Sequence, residues 1–151
     1  MKQKPILCLD FDGVIHSYSS GWQGATVIPD PPVPGALHFI VRAMEQFRVA
    51  IFSSRSNAKG GRKAMREWLG KWSVDPVHGL PHDFDHGQWS ELEWPKEKPA
   101  AFLTIDDRAL TFTGTWPAIE TLRDFKPWNK NERSRPLETE HRSDGPALPA
   151  G

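Results

Sequence analysis

Ile6-Leu7-Cys8-Leu9-Asp10-Phe11-Asp12-Gly13-Val14 is the stretch on which the fold turns. Four apolar residues in a row read as a buried strand, and polar residues begin where it stops. Asp10 and Asp12 lie two apart, so in extended chain their carboxylates project to the same side. Gly13 then allows a sharp turn without a Cβ clash. Carboxylates crowded at a strand end repel each other and call for a cation, a shared proton or a phosphoryl partner. Alone, the motif reads equally well as two solvated turn residues.

Two further stretches repeat the pattern. Arg48-Val49-Ala50-Ile51-Phe52 is a short apolar run ended by Ser53-Ser54-Arg55-Ser56-Asn57. Lys98-Pro99-Ala100-Ala101-Phe102-Leu103-Thr104-Ile105 leads into a third buried strand ended by Asp106-Asp107-Arg108. Between them the spacing predicts helices. One opens at Pro34-Gly35 and turns Leu37, Ile40, Val41, Met44 and Phe47 inward. The next, capped by Ser56 or Asn57, turns Met65, Trp68, Leu69 and Trp72 inward and Arg62, Lys63, Arg66 and Lys71 outward. A last helix, capped by Thr115 with Pro117 in its first turn, points Ile119, Leu122 and Phe125 inward. Alternating strand and helix predict an α/β fold with a mostly parallel sheet covered on both faces. Ligands of such sheets bind at the carboxyl ends of the strands, where Asp10/Asp12, Ser53/Arg55 and Asp106/Asp107 converge.

The remaining segments bound the function. Residues 16–33, rich in Ser, Gly, Pro and aromatics, favour turns or a short hairpin beside Asp10 and Asp12. Residues 75–95 are irregular and hold His78, His82 and His86; Gly and Pro break the helix that would align them on zinc, so a solvated loop is favoured. Trp68 and Trp72 read as core, while Trp22 and Trp89 sit in Gly-rich loops. The 151 residues imply one domain, residues 1–128, followed by a polar, disordered tail at 129–151. Lys+Arg and Asp+Glu are both 19, which gives no electrostatic footprint for nucleic acid or an acidic membrane. Cys8 is the single cysteine, which excludes an internal disulfide and fits a reducing compartment. The start is too soon broken by Asp10 for a signal peptide or membrane span, so the expectation is a cytoplasmic protein with no obligate protein partner.

Several carboxylates at one spot form a hard-oxygen site suited to Mg²⁺ together with waters and a phosphate. A hydroxyl at Ser53 and a cation at Lys98 supply what phosphate oxygens need. One carboxylate can attack phosphorus and form an aspartyl-phosphate, and a second can shuttle the proton.

With these residues the chain resembles the haloacid dehalogenase superfamily, whose four motifs are matched by Asp10-Phe11-Asp12-Gly13-Val14, Ser53, Lys98 and Asp106-Asp107 over about residues 5–128. The resemblance implies a three-layer sandwich with a minimal flap in place of a cap domain. It implies Asp10 as nucleophile, Asp12 as general acid/base, Ser53 binding the phosphoryl group and Lys98 steadying both, with Lys96 as the alternative lysine. Asp106, assisted by Asp107, would bind Mg²⁺ with Asp10 and the backbone carbonyl of Asp12. Ser53-Ser54-Arg55 and Ile105-Asp106-Asp107-Arg108 further resemble the phosphatase domain of bacteriophage polynucleotide kinase-phosphatases, with Ser54 where those have glycine. No Gly-rich Lys-Ser/Thr loop of a kinase half is present.

The expected activity is Mg²⁺-dependent phosphomonoester hydrolysis, on a nucleotide or nucleic-acid end phosphate contacted by Ser54, Arg55, Arg108 and Trp22. The alternatives are a small-metabolite phosphatase and, further off, a silent phosphate-binding or receiver-like module. A receiver would need its phosphoacceptor Asp where Ser53 stands, and a phosphomutase would need a longer cap insertion.

Overall fold

The structure, a computed structural model, describes residues 3–130. Three strands, β1 (Ile6–Leu9), β2 (Arg48–Ile51) and β3 (Leu103–Ile105), form a parallel sheet in the order β2-β1-β3. β1 is central: Leu7 and Leu9 pair with Val49 and Ile51 on one side and with Leu103 and Ile105 on the other. A parallel bridge from Ala50 to Glu93 extends the sheet beyond β2. The fold is therefore α/β with the predicted strand positions.

Side-chain alternation puts Leu7, Leu9, Val49 and Ile51 on one face. This face shares a single buried core with Leu37, Ile40 and Met44 of α1 (Ala36–Gln46) and Met65, Trp68 and Leu69 of α2 (Gly61–Ser73). The helical spacing read from the sequence is thus largely the spacing that packs, although Val41, Phe47 and Trp72 are only partly buried. Cys8, Ala50 and Thr104 alternate to the other face, where Cys8 and Thr104 line a cavity described below.

α1 starts at Gly35 as the sequence suggested, whereas α2 does not start at the expected Ser56 or Asn57 cap. Glycines in the left-handed region, Gly35 and Gly60, precede α1 and α2, and no side chain bonds the free N–H groups. Ser56 is occupied elsewhere, its Oγ accepting the Ser53 N–H at 3.0 Å. Gly61 opens α2 because a Cβ there would stand 2.1 Å from the Arg55 carbonyl oxygen.

The C-terminal third departs most from expectation. β3 was predicted to be buried, yet Phe102 and Leu103 are 74% and 52% exposed. It is an edge strand paired only to β1 among the described residues. The predicted helix after Thr115 is a single turn, α3 (Ile119–Leu122), preceded by Ala118 as its cap. Ile119, Leu122 and Phe125 are exposed rather than inward. One turn forms too few hydrogen bonds to offset its nucleation, and it buries none of its own residues. The described chain closes with a 3-10 turn at Trp128–Lys130. Asn129 and Lys130, assigned to the tail from sequence, belong to that turn, and the rest of the predicted tail lies outside the described residues. Among the described residues no helix is long and apolar enough to cross a membrane.

Candidate functional site

The turn after β1 builds the site. The Asp10 N–H continues the sheet ladder to the Ile105 carbonyl at 2.9 Å, so Asp10 is still held as a strand residue. One residue later the Phe11 carbonyl accepts the N–H groups of Ile15 and His16 at 3.0 and 2.9 Å, curling the chain back on itself. Gly13 has φ 83 at this curl, and a Cβ there would meet Asp107 Oδ2 at 2.3 Å. The turn from β1 and the carboxylate after β3 are therefore packed directly together. The indole N–H of Trp128 donates to the Gly13 carbonyl at 2.7 Å and fastens the same turn from the C-terminal side.

At the carboxyl ends of the three strands lies a cavity of about 320 Å³. It is lined by the predicted residues Asp10, Asp12, Ser53, Ser54, Lys98, Asp106 and Arg108. Lys98 is in the wall and Lys96 is not. Ser53 is buried, with its Oγ 3.3 Å from the Arg55 N–H that donates to it. Tyr18, Phe52, Thr104 and Cys8 complete the lining, and sequence reasoning had singled out none of them. Burial pushes the Cys8 thiol up, which disfavours its thiolate.

One oxygen from each of Asp10, Asp106 and Asp107 lies within 4.8 Å of the others, the only group of this kind among the described residues able to hold a metal ion. Burial pushes Asp10 up to about 7; Asp106, Asp107 and Asp12 push the same way, against a bond from the Phe11 N–H. Burial also raises Asp107, whose side chain is 2% exposed and whose two carboxylate oxygens have no hydrogen-bond partner. Its nearest cation is Arg108, with Nε at 3.9 Å. An unpartnered buried carboxylate is costly.

The side chain of Asp12 is outside that triad. Its carboxylate takes the Arg55 Nε–H at 2.9 and 3.1 Å and sits 2.8 Å from His16 Nδ1. Arg55, predicted to touch substrate, is instead fully buried. Its Nη1 donates to the carbonyls of Gly24, Ala25 and Val27, and Trp22 lies over the guanidinium with its ring centre 4.6 Å away. Neither Arg55 nor Trp22 lines the cavity. Together they hold residues 17–33 as a flap. Its two ends are pinched by the Ser17 N–H to Pro31 and Val33 N–H to Ile15 bonds, the hairpin-like closure that the composition suggested.

The histidine loop assembles no metal site. His78 pairs with Asp75 at 3.0 Å, His86 Nδ1 lies 3.3 Å from Ser73 Oγ, and His82 is exposed. Among the overlooked residues of the site are His16 and Tyr18. The signal for His16 was its position four residues after Asp12. Tyr18 shows itself only in the structure, as the one non-glycine residue with positive φ among those described, at 58.

Comparison with protein-family models, curated proteins and solved structures finds no match to the chain.

Proposed function

We propose that the cavity hydrolyses phosphate monoesters through an aspartyl-phosphate on Asp10, as a capless phosphatase of the haloacid dehalogenase type built on a three-layer sandwich. The observation that carries this reading is the convergence of Asp10, Asp12, Ser53 and Asp106 from three strand ends, and of Lys98 from the segment before β3, on one cavity. The central β1 supplies both the nucleophile and the acid/base, as the motif order requires.

The residues fit a divalent cation. Asp107 holds two buried oxygens without partners beside Asp10 and Asp106, and an all-oxygen, all-carboxylate donor set suits Mg²⁺. Asp10, Asp106 and Asp107 would hold the ion, with the backbone carbonyl of Asp12 as the further ligand that the resemblance implies. When bound it would screen the phosphate charge and relieve the repulsion that raises Asp10.

The chain's own residues divide the chemistry. Asp10 attacks phosphorus, the bond to the ester oxygen breaks, and Asp12 gives that oxygen its proton. In the second half Asp12 takes a proton from water, the water oxygen bonds to phosphorus, and the acyl-phosphate bond to Asp10 breaks. Lys98 and Ser53 hold the phosphoryl oxygens. We assign the substrate to nucleotide or nucleic-acid end phosphates, because the flap is short and Lys98 and Arg108 stand exposed at the cavity. The activity is placed in the cytoplasm, in keeping with the buried free thiol of Cys8.

The test is turnover of p-nitrophenyl phosphate, a 3′-phosphorylated oligonucleotide, nucleoside monophosphates and sugar phosphates, each with Mg²⁺ or chelator. Chelator-sensitive release of phosphate, with the highest kcat/KM on a nucleotide or oligonucleotide, is the expected result. Turnover of none of them refutes the activity; a sugar phosphate as best substrate refutes the substrate class.

A further inference from the structure

His16 is fully buried, yet it is a polar ring with both nitrogens engaged. Phe11 stacks on it at 5.7 Å between ring centres, and Trp68 and Tyr18 meet it edge-on at 5.6 and 5.9 Å. This aromatic box leaves the ring no rotational freedom, so its two nitrogens point to fixed places. The Asp30 N–H donates to Nε2 at 3.2 Å. Asp30 Oδ2 also lies 3.4 Å from Nε2, but the lone pair of Nε2 is the one that the Asp30 N–H occupies. Nε2 is therefore an acceptor, and the ring proton sits on Nδ1, where it donates to Asp12 Oδ1 at 2.8 Å.

This donor breaks a symmetry. Arg55 Nε is shared between the two Asp12 oxygens at 3.1 and 2.9 Å, an arrangement that tolerates rocking of the carboxylate. Adding His16 gives Oδ1 two donors and Oδ2 one. A carboxylate oxygen offers about two lone-pair sites, so Oδ1 is filled and Oδ2 keeps one free. Asp12 lines the cavity with its side chain 11% exposed, so the free site is the one available to a bound ester. The other end of the imidazole is fixed to the flap at Asp30, whose carbonyl accepts the Trp68 indole N–H at 3.0 Å.

We propose that His16 is a positioning residue: through its Nδ1–H it holds Asp12 so that Oδ2 addresses the leaving oxygen, and through Nε2 it ties that orientation to the flap. The inference rests on the phosphatase reading above. In the step concerned, the phosphorus–oxygen ester bond breaks as the Asp10–phosphorus bond forms, and the proton on Asp12 Oδ2 passes to the departing oxygen. Asp12 is left as a carboxylate held by Arg55 and His16. The role matters most where the leaving oxygen is strongly basic and cannot depart without a proton. It matters least where a nitrophenolate leaves unaided.

Two variants separate positioning from packing. In His16→Asn the side-chain amide occupies the place of Nδ1 and can still donate to Asp12. In His16→Gln the amide reaches the place of Nε2, keeps the Asp30 N–H satisfied and loses the donor to Asp12. Both are assayed with Mg²⁺ on an alkyl phosphate and on p-nitrophenyl phosphate. His16→Gln is expected to lower kcat on the alkyl ester by ~10²-fold, the scale of general-acid catalysis, with KM unchanged and little loss on the nitrophenyl ester. His16→Asn is expected to recover most of the alkyl-ester rate. Equal defects in the two variants, or one factor lost on both esters, would overturn the proposal while the phosphatase reading stands. A wild-type protein that turns over neither ester overturns both. If neither variant folds, the ring ¹⁵N shifts of wild-type His16 decide: a proton on Nε2 contradicts the proposal, and one on Nδ1 supports it.

Discussion

Replacing Asp10 by Asn should stabilise the metal-free protein at alkaline pH and do nothing at acid pH. Burial, joined by the charges of Asp106, Asp107 and Asp12, raises Asp10 from the ordinary 3.8 to about 7 in the folded chain. The folded state thus keeps a proton that the unfolded chain releases near pH 4. Below that pH both states are protonated and the group contributes nothing. Between about pH 4 and 7 the unfolded state alone ionises, and stability falls as pH rises; above about pH 7 the penalty is complete and constant. At 1.36 kcal/mol for each pH unit, the ceiling is ~4 kcal/mol. Relaxation and partial solvent access to a half-buried carboxylate reduce that to something like 2 kcal/mol. Asn keeps the shape, keeps an oxygen to accept the Phe11 N–H now made at 2.7 Å, and removes the charge. Urea unfolding of both proteins at pH 4 and pH 8, in chelator, reads the effect directly. The expected result is a gain confined to pH 8, together with a Mg²⁺-dependent rise in stability that wild type shows and Asp10→Asn largely lacks. A loss of stability at pH 8, or an equal change at both pH values, would refute the crowding of charge argued here.

Three further outcomes follow from particular contacts. Gly13→Ala forces a Cβ to within 2.3 Å of Asp107 Oδ2 at a φ of 83; it should cost ~1–3 kcal/mol in unfolding free energy and weaken Mg²⁺ binding in calorimetry, and unchanged binding would contradict the packing. Lys98→Ala should lower kcat/KM by ~10²-fold while Lys96→Ala leaves it unchanged, because only Lys98 lines the cavity; the reverse ranking would reassign the lysine. Trp68→Phe keeps an aromatic ring against Phe11 and His16 but removes the donor to the Asp30 carbonyl. It should cost ~1 kcal/mol and speed hydrogen exchange in the flap, and unaltered exchange would show that the flap is held elsewhere.

The strand ends were legible because each couples a run of apolar residues to an abrupt polar stop, and that pattern survives without tertiary information. Leu7, Leu9, Val49 and Ile51 pair as the runs imply, and Asp10, Asp12, Ser53, Ser54 and Asp106, which follow the strands, share one cavity. Helix spacing was equally readable at Leu37, Ile40 and Met44 and at Met65, Trp68 and Leu69. The opening of α1 at Gly35 was readable too, but the cap of α2 was not, since Gly60 does by backbone conformation what Ser56 or Asn57 was expected to do by side chain. The segment after β3 misled because its apolar residues, Ile119, Leu122 and Phe125, carry helical spacing yet stay exposed; periodicity records what can be buried, not whether a partner lies within reach. Arg55 was legible as a site residue and illegible in its role. A guanidinium that bonds three flap carbonyls and one carboxylate is defined by contacts with residues 24–27 and Asp12, none of them near it in sequence.

The proposed phosphatase activity depends on Asp10 as the nucleophile. Rapid acid quench of the protein during turnover of a phosphomonoester with Mg²⁺, followed by mass spectrometry of its peptides, tests that directly. One phosphoryl group on the peptide containing Asp10, absent from Asp10→Asn and from chelator-treated protein, is the predicted result. Steady turnover with no phosphoryl group on Asp10, or with the group on another residue, would contradict it.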